Sequence, residues 1–198
     1  GVINAFNIID VMDGLAGGVG VIACLWLFVV AQVNQDTMAA VMLAALAGSL
    51  VGFLRHNRHP ASIYLGDAGS LFIGLMLGAL AMQGKYTAVN PAALFAPVLI
   101  LGVPVFDTFF VMYIRWMRGV PVFWGSPDHF ALRMRRWSLS VTQVVVISYA
   151  AALFLGGVGV LAMFVSLGVA VGLIGTAAIL ALVAALLLKR VDMSKPAD

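Results

Sequence analysis

Residues 141–188 read VTQVVVISYAAALFLGGVGVLAMFVSLGVAVGLIGTAAILALVAALLL, and the uncharged run begins earlier, at Trp137. As one helix, the 52 residues from Trp137 to Leu188 would measure roughly 78 Å, against ~30 Å of bilayer hydrocarbon. The run must fold back as two spans, with the break between Gly156 and Gly168. Both arms must be helical, because lipid offers no partner to an unpaired N–H or C=O.

The same reading extends through the chain. Gly14–Gln35, Thr37–Leu54, Ala68–Gly84 and Tyr86–Phe106 carry no charge, and the last continues past Asp107 to Ile114 before Arg115 is met. Six spans result, at about 17–34, 37–54, 69–83, 92–114, 141–162 and 167–188. The predicted fold is all-α: a polytopic transmembrane helix bundle in a single membrane domain, 1–198. The third span is short, which fits a helix buried among neighbours or ending in a polar cavity.

Composition agrees. Apolar residues make up 63% of the chain, charged residues 10%, and mean hydropathy is +1.10, whereas a soluble domain carries about 25% charged residues. There are eight Asp, no Glu and one cysteine, Cys24. Disorder, a nucleic-acid module and a disulfide scaffold are excluded together. With six spans, Arg55, Arg58, Arg115, Arg118, Arg133, Arg135, Arg136, Lys189, Arg190 and Lys195 fall on one side and only Lys85 on the other. That side is expected to be cytoplasmic, with loops 55–68 and 115–140. The tail from Lys189 to Asp198 reads as solvated, and the opening at Gly1 suggests the C-terminal portion of a longer protein.

Polar residues gather on the basic side in three clusters. In Asn4-Ala-Phe-Asn7-Ile-Ile-Asp10-Val-Met-Asp13-Gly14, Asn7, Asp10 and Asp13 would share one arc of a helix. An amide and two carboxylates there can hold a hard cation or a polar ligand; the competing reading is a solvated helix-entry cap. In Tyr64-Leu-Gly66-Asp67-Ala-Gly69-Ser70, glycines and a helix start suit phosphate, and Asp67 suits Mg²⁺; alone, the stretch also reads as a turn plus cap. In Ser126-Pro-Asp128-His129-Phe-Ala-Leu-Arg133, His129 and Arg133 would form one cationic face suited to pyrophosphate. The remaining loop arginines read as anchors to anionic membrane lipid. Asp107, about 12 Å inside the basic end, must face a bundle interior or wet cavity, and either organises helices or reacts. His56 and His59 read as part of a solvated basic loop.

These motifs, in this order, resemble the polyprenyl-phosphate N-acetylhexosamine-1-phosphate transferases of bacterial membranes. Asn4–Leu15 resembles the family's Asn-Ala-x-Asn-x-x-Asp-Gly-x-Asp-Gly-Leu signature, with Val11 in place of its Gly, and Gly66–Ser70 resembles its Gly-Asp-x-Gly-Ser motif. Pro104–Thr108 and the loop with His129 follow. The single loop histidine points away from the muramoyl-pentapeptide branch, toward the one that initiates O-antigen, exopolysaccharide or teichoic-type chains. The resemblance implies transfer of N-acetylhexosamine 1-phosphate from a UDP-sugar to polyprenyl (undecaprenyl) phosphate at the cytoplasmic face of the bacterial inner membrane, releasing UMP. It implies Mg²⁺, with Mn²⁺ as a substitute, held by Asp67 and the Asn7 amide oxygen. It further implies Asp10 and Asp13 at the donor nucleotide, Tyr64 stacking on uracil, Gly66 and Ser70 lining the phosphates, and His129 with Arg133 on the diphosphate or sugar. Homodimerisation stays open. The family's adjacent Asp-Asp pair is absent from these residues, so this chain alone is expected to be inactive. The rival reading, an ion-coupled transporter or channel built on Asp107, needs polar groups in the middle of several spans, and only Asp107 qualifies.

Overall fold

The computed structural model describes residues 1–121, 128–191 and 193. Ser126 and Pro127 of the basic loop lie outside them, as do Asp192 and most of the tail expected to be solvated, including Lys195. Among the described residues the chain is helical and contains no strand. A short helix α1 (Val2–Ile9) precedes α2 (Leu15–Val33), α3 (Thr37–Asn57) and α4 (Gly66–Gln83). A 3₁₀ turn (Pro91–Phe95) leads into α5 (Ala96–Ile100) and α6 (Gly102–Met117), followed by α7 (Phe130–Arg136), α8 (Val141–Ala162) and α9 (Leu167–Lys189).

Five helices, α2, α3, α4, α8 and α9, are each long and apolar enough to cross a membrane. Where a sixth span is expected, over 92–114, the segment ending in α5 meets α6 at a bend of 81°, so no single continuous helix is formed there. Pro97 and Pro104 bracket the bend at Leu101–Gly102, and each lacks the N–H that would carry the helical ladder through. The long apolar run folds back at 163–166, inside the expected interval. The protein is a multi-pass membrane protein.

The α2 helix is the central post. Of its apolar window 61% is buried, against 11% for α9, which stands at the periphery with most of its surface uncovered by the other described residues. Small residues let neighbours come close to α2: a Cβ on Gly20 would meet Leu50 of α3 at 3.1 Å and Ile73 of α4 at 3.4 Å. Helix ends are fastened by side chains. Asp36 accepts from the Ala39 N–H at the start of α3, and Ser140 and Gln143 form a reciprocal capping box on α8. Asn90 donates to the carbonyls of Ala162 and Val165, pinning the α8–α9 turn.

The α1 helix positions the chemistry. Phe6 and Ile9 are fully buried, and α1 packs against both α4 and α6. Its approach to α4 depends on Gly74: a Cβ there would lie 2.7 Å from Ile3 Cα and 2.9 Å from the Val2 and Ile3 carbonyl oxygens. Backbone cannot yield as a flexible side chain would, so any larger residue must push the two helices apart.

Candidate functional site

The first two sequence clusters meet where α1 crosses the start of α4. Asn7 Nδ2 donates to Asp67 Oδ1 at 2.9 Å, across 60 residues of sequence, and to Ser70 Oγ at 3.1 Å. The Ser70 hydroxyl in turn bonds back to the Gly66 and Asp67 carbonyls at 3.1 and 3.2 Å. The α4 helix starts at Gly66, earlier than expected, and places Asp67 in its first turn. Gly66 has φ +65°, a conformation for which glycine is suited. Asp67 is exposed, Tyr64 is 74% exposed, and Ser70 is wholly buried. Ser70 therefore supports Asn7 from behind rather than facing solvent. The Asn7 amide turns its nitrogen toward Asp67, whereas a shared cation would call for its oxygen.

The expected common arc of Asn7, Asp10 and Asp13 is broken. α1 ends at Ile9, Asp10 is its C-cap, and a turn runs to Gly14, whose φ of +78° opens α2. Asp10 stays near Asp67: burial, and then the Asp67 charge, push its carboxyl up to about 6. Asp13 turns elsewhere. Its carboxylate meets His59 Nδ1 at 2.8 Å and accepts from the Ala61 N–H at 3.1 Å. The His59 bond, more than the backbone one, holds the Asp13 carboxyl below its ordinary range.

The raised Asp10 value has a measurable consequence. The folded protein binds this proton more tightly than the unfolded chain, so stability is lost as pH rises from 3.8 to about 6. Asp10→Asn should therefore raise thermal stability at neutral pH, by about 1–2 kcal/mol after allowance for partial solvent screening. The gain should vanish near pH 4. Unfolding curves in detergent across this range would show it; equal stability of the two proteins at pH 7 would exclude the effect.

The third cluster is held by a different set of bonds. Asp107, fully buried on α6, accepts from the Phe130 N–H at 2.9 Å and lies 2.8 Å from His129 Nδ1. It thus serves as an external cap for α7 and is not a free ion site, which removes the main support for a transport reading. The expected cationic face of His129 and Arg133 is not formed. Arg133 is 1% exposed. Its guanidinium pairs with Asp128 Oδ1 at 2.6 Å, donates to the Leu188 and Val191 carbonyls at 3.1 Å each, and lies over the Phe110 ring. Arg118 also reaches both Asp128 oxygens at 2.9 Å. Arg133 therefore fastens the loop helix to the end of α9.

Sequence reading missed Asn57 and His59. Asn57, buried at the end of α3, accepts from the Gly14 N–H and donates to the Ile63 carbonyl, joining the α1–α2 turn to the loop before Asp67. Tyr149 of α8 donates to the Gly14 carbonyl from the other side at 2.6 Å. An amide inside the charged run Arg55–His59 was the available signal for Asn57. Two hollows open on the arginine-rich side. One, of about 580 Å³, is lined by Asp13, Arg55, Arg58, His59 and Tyr149, with Val145 among its apolar walls; the other includes Met12, Asp13, His59 and Arg136. Asn7, Asp67 and His129 line neither. What links those three is α1, packed against α4 and α6 together.

Known proteins match this chain. Residues 1–85 match the family model described as glycosyl transferase family 4. A Bacillus subtilis protein named probable undecaprenyl-phosphate N-acetylglucosaminyl 1-phosphate transferase is 36% identical over 149 residues, covering 75% of this chain and 42% of that protein. The decaprenyl-phosphate N-acetylglucosaminephosphotransferase of Mycobacterium tuberculosis is 36% identical over 169 residues, 75% of this chain and 41% of that protein. A phospho-N-acetylmuramoyl-pentapeptide-transferase of Chlamydia trachomatis is 52% identical over 85 residues, 41% of this chain and 25% of that protein. The chain thus spans about two-fifths of the length of the relatives matched over most of it.

Proposed function

Because this chain belongs to glycosyl transferase family 4, we propose that the protein transfers N-acetylhexosamine 1-phosphate from a UDP-sugar to polyprenyl phosphate and releases UMP. N-acetylglucosamine, the sugar in the names of two of the relatives, is the first candidate. The reaction is placed at the cytoplasmic face of the bacterial inner membrane, the side on which the arginines collect. The observation that carries the reading is the Asn7–Asp67 hydrogen bond, with Asp10 close enough for the two carboxylates to repel.

That oxygen-rich group suits Mg²⁺, which characteristically takes one or two carboxylates and completes its shell with water and substrate phosphates. Among the described residues there is no cluster of three or more His, Cys, Asp or Glu side chains that could hold a metal ion, so the remaining ligands of a bound Mg²⁺ would come from amide oxygen, water and substrate phosphate. Asp67 would be the principal ligand, with Asp10 beside it and the Asn7 amide oxygen as a further donor. A bound Mg²⁺ would neutralise diphosphate charge and polarise the phosphorus under attack.

The chain's own groups supply positioning. Asn7, backed by the Ser70 hydroxyl, holds the Asp67 carboxylate at the start of α4, where backbone N–H groups also favour phosphate. Asp13, steadied by His59, and the exposed Tyr64 ring would receive the nucleotide. His129 would meet the diphosphate or sugar. Arg133 is better assigned to holding the loop. Completion of the site by residues outside this chain is part of the proposal, so the test uses the full-length protein. A panel of UDP-sugars with polyprenyl phosphate and Mg²⁺ in detergent should yield UMP and a lipid-linked sugar pyrophosphate with at least one N-acetylhexosamine donor. No UMP from any donor would overturn the reading.

A further inference from the structure

We propose that Asp107 is the positioning residue of His129: it fixes the imidazole with its proton on Nδ1, so that Nε2 meets the substrate of the proposed transfer as a hydrogen-bond acceptor. The inference rests on that functional reading for its kinetic part only. Its structural part stands on the contact itself.

Each Asp107 oxygen has its own task. Oδ1 accepts from the Phe130 N–H at the first residue of α7, and Oδ2 lies 2.8 Å from His129 Nδ1. A carboxylate only accepts, so Nδ1 must carry the hydrogen and the neutral ring keeps its lone pair on Nε2. Nε2 has no partner among the described residues, and the His129 side chain is 12% exposed while Asp107 is fully buried. One nitrogen is thus anchored in the protein interior and the other is left for a ligand. The backbone fixes the rest. The His129 carbonyl accepts from the Arg133 N–H, while Asp128, the preceding residue, is gripped by Arg118 and Arg133. The ring therefore has few ways to turn, and the tautomer decides what it offers: a substrate hydroxyl, N–H or protonated phosphate oxygen can donate to Nε2.

Asparagine at position 107 separates anchoring from tautomer. Its oxygen can still accept from Phe130, but its NH₂ then faces Nδ1 and can only donate. Nδ1 must become the acceptor and the proton must move to Nε2, presenting substrate with a donor instead. ¹⁵N NMR of histidine-labelled full-length protein in nanodiscs reads this directly, with the His129 signals assigned by their loss in His129→Gln. Wild type should show the Nδ1–H pattern and Asp107→Asn the Nε2–H pattern. Asp107→Asn should also lower kcat roughly tenfold or more with little change in donor KM. Arg133→Met serves as the control for loosened anchoring, which should leave the tautomer as in wild type. An unchanged ¹⁵N pattern in Asp107→Asn would overturn the proposal, as would a reversed pattern with wild-type turnover. If wild type itself transfers no sugar phosphate, the functional reading fails, and the spectra still decide whether Asp107 sets the ring.

Discussion

Asp67→Asn in the full-length protein is expected to lower divalent-cation-dependent UMP release by roughly 10³-fold or more. The substitution keeps the shape of the side chain and one carbonyl oxygen, so the bond from Asn7 Nδ2 can persist and α1 should stay seated on α4. What disappears is the negative charge and a strong oxygen donor on an exposed side chain at a helix start. Stability should scarcely change, or rise slightly because the repulsion on Asp10 is relieved. A large kinetic loss with an unchanged unfolding curve would therefore report chemistry. Turnover equal to wild type at limiting Mg²⁺ would refute Asp67 as the principal ligand.

Arg133→Met should have the largest effect on stability, a loss of about 3–5 kcal/mol, the usual cost of removing one partner from a buried ion pair. Methionine fills a similar volume, so the loss is electrostatic. Arg118 still holds the Asp128 carboxylate, but its shortest partner is gone, and the Leu188 and Val191 carbonyls lose their donor. Thermal unfolding in detergent would measure the effect. Donor affinity of the protein that remains folded should fall much less. A tenfold weaker donor with an undiminished unfolding temperature would instead return Arg133 to the diphosphate.

The long apolar helices were legible because they are written locally: run length between charges needs no knowledge of neighbours. The 81° bend was equally local, in Pro97, Gly102 and Pro104, but hydropathy counts apolar residues and is blind to a missing N–H. The two clusters joined by Asn7 and Asp67 are 60 residues apart, so sequence supplied the residue types and only the packing of α1 supplied their meeting. Arg133 shows the opposite limit. An i, i+4 spacing says which side chains share a helix face, not what covers that face, and here the end of α9 and Asp128 cover it. His59 was passed over as one of several cations in a loop, since its Asp13 partner lies 46 residues earlier.

The carbonyls that hold Arg133 come from Leu188, in the last turn of α9, and from Val191 just beyond it. Only 11% of the apolar window of α9 is buried against the rest of the described residues, so in a bilayer its height along the membrane normal would be set by hydrocarbon thickness as well as by protein contacts. The basic loop is in effect moored to a float: whatever thins or thickens the surrounding membrane pulls on the same guanidinium that fastens the segment bearing His129.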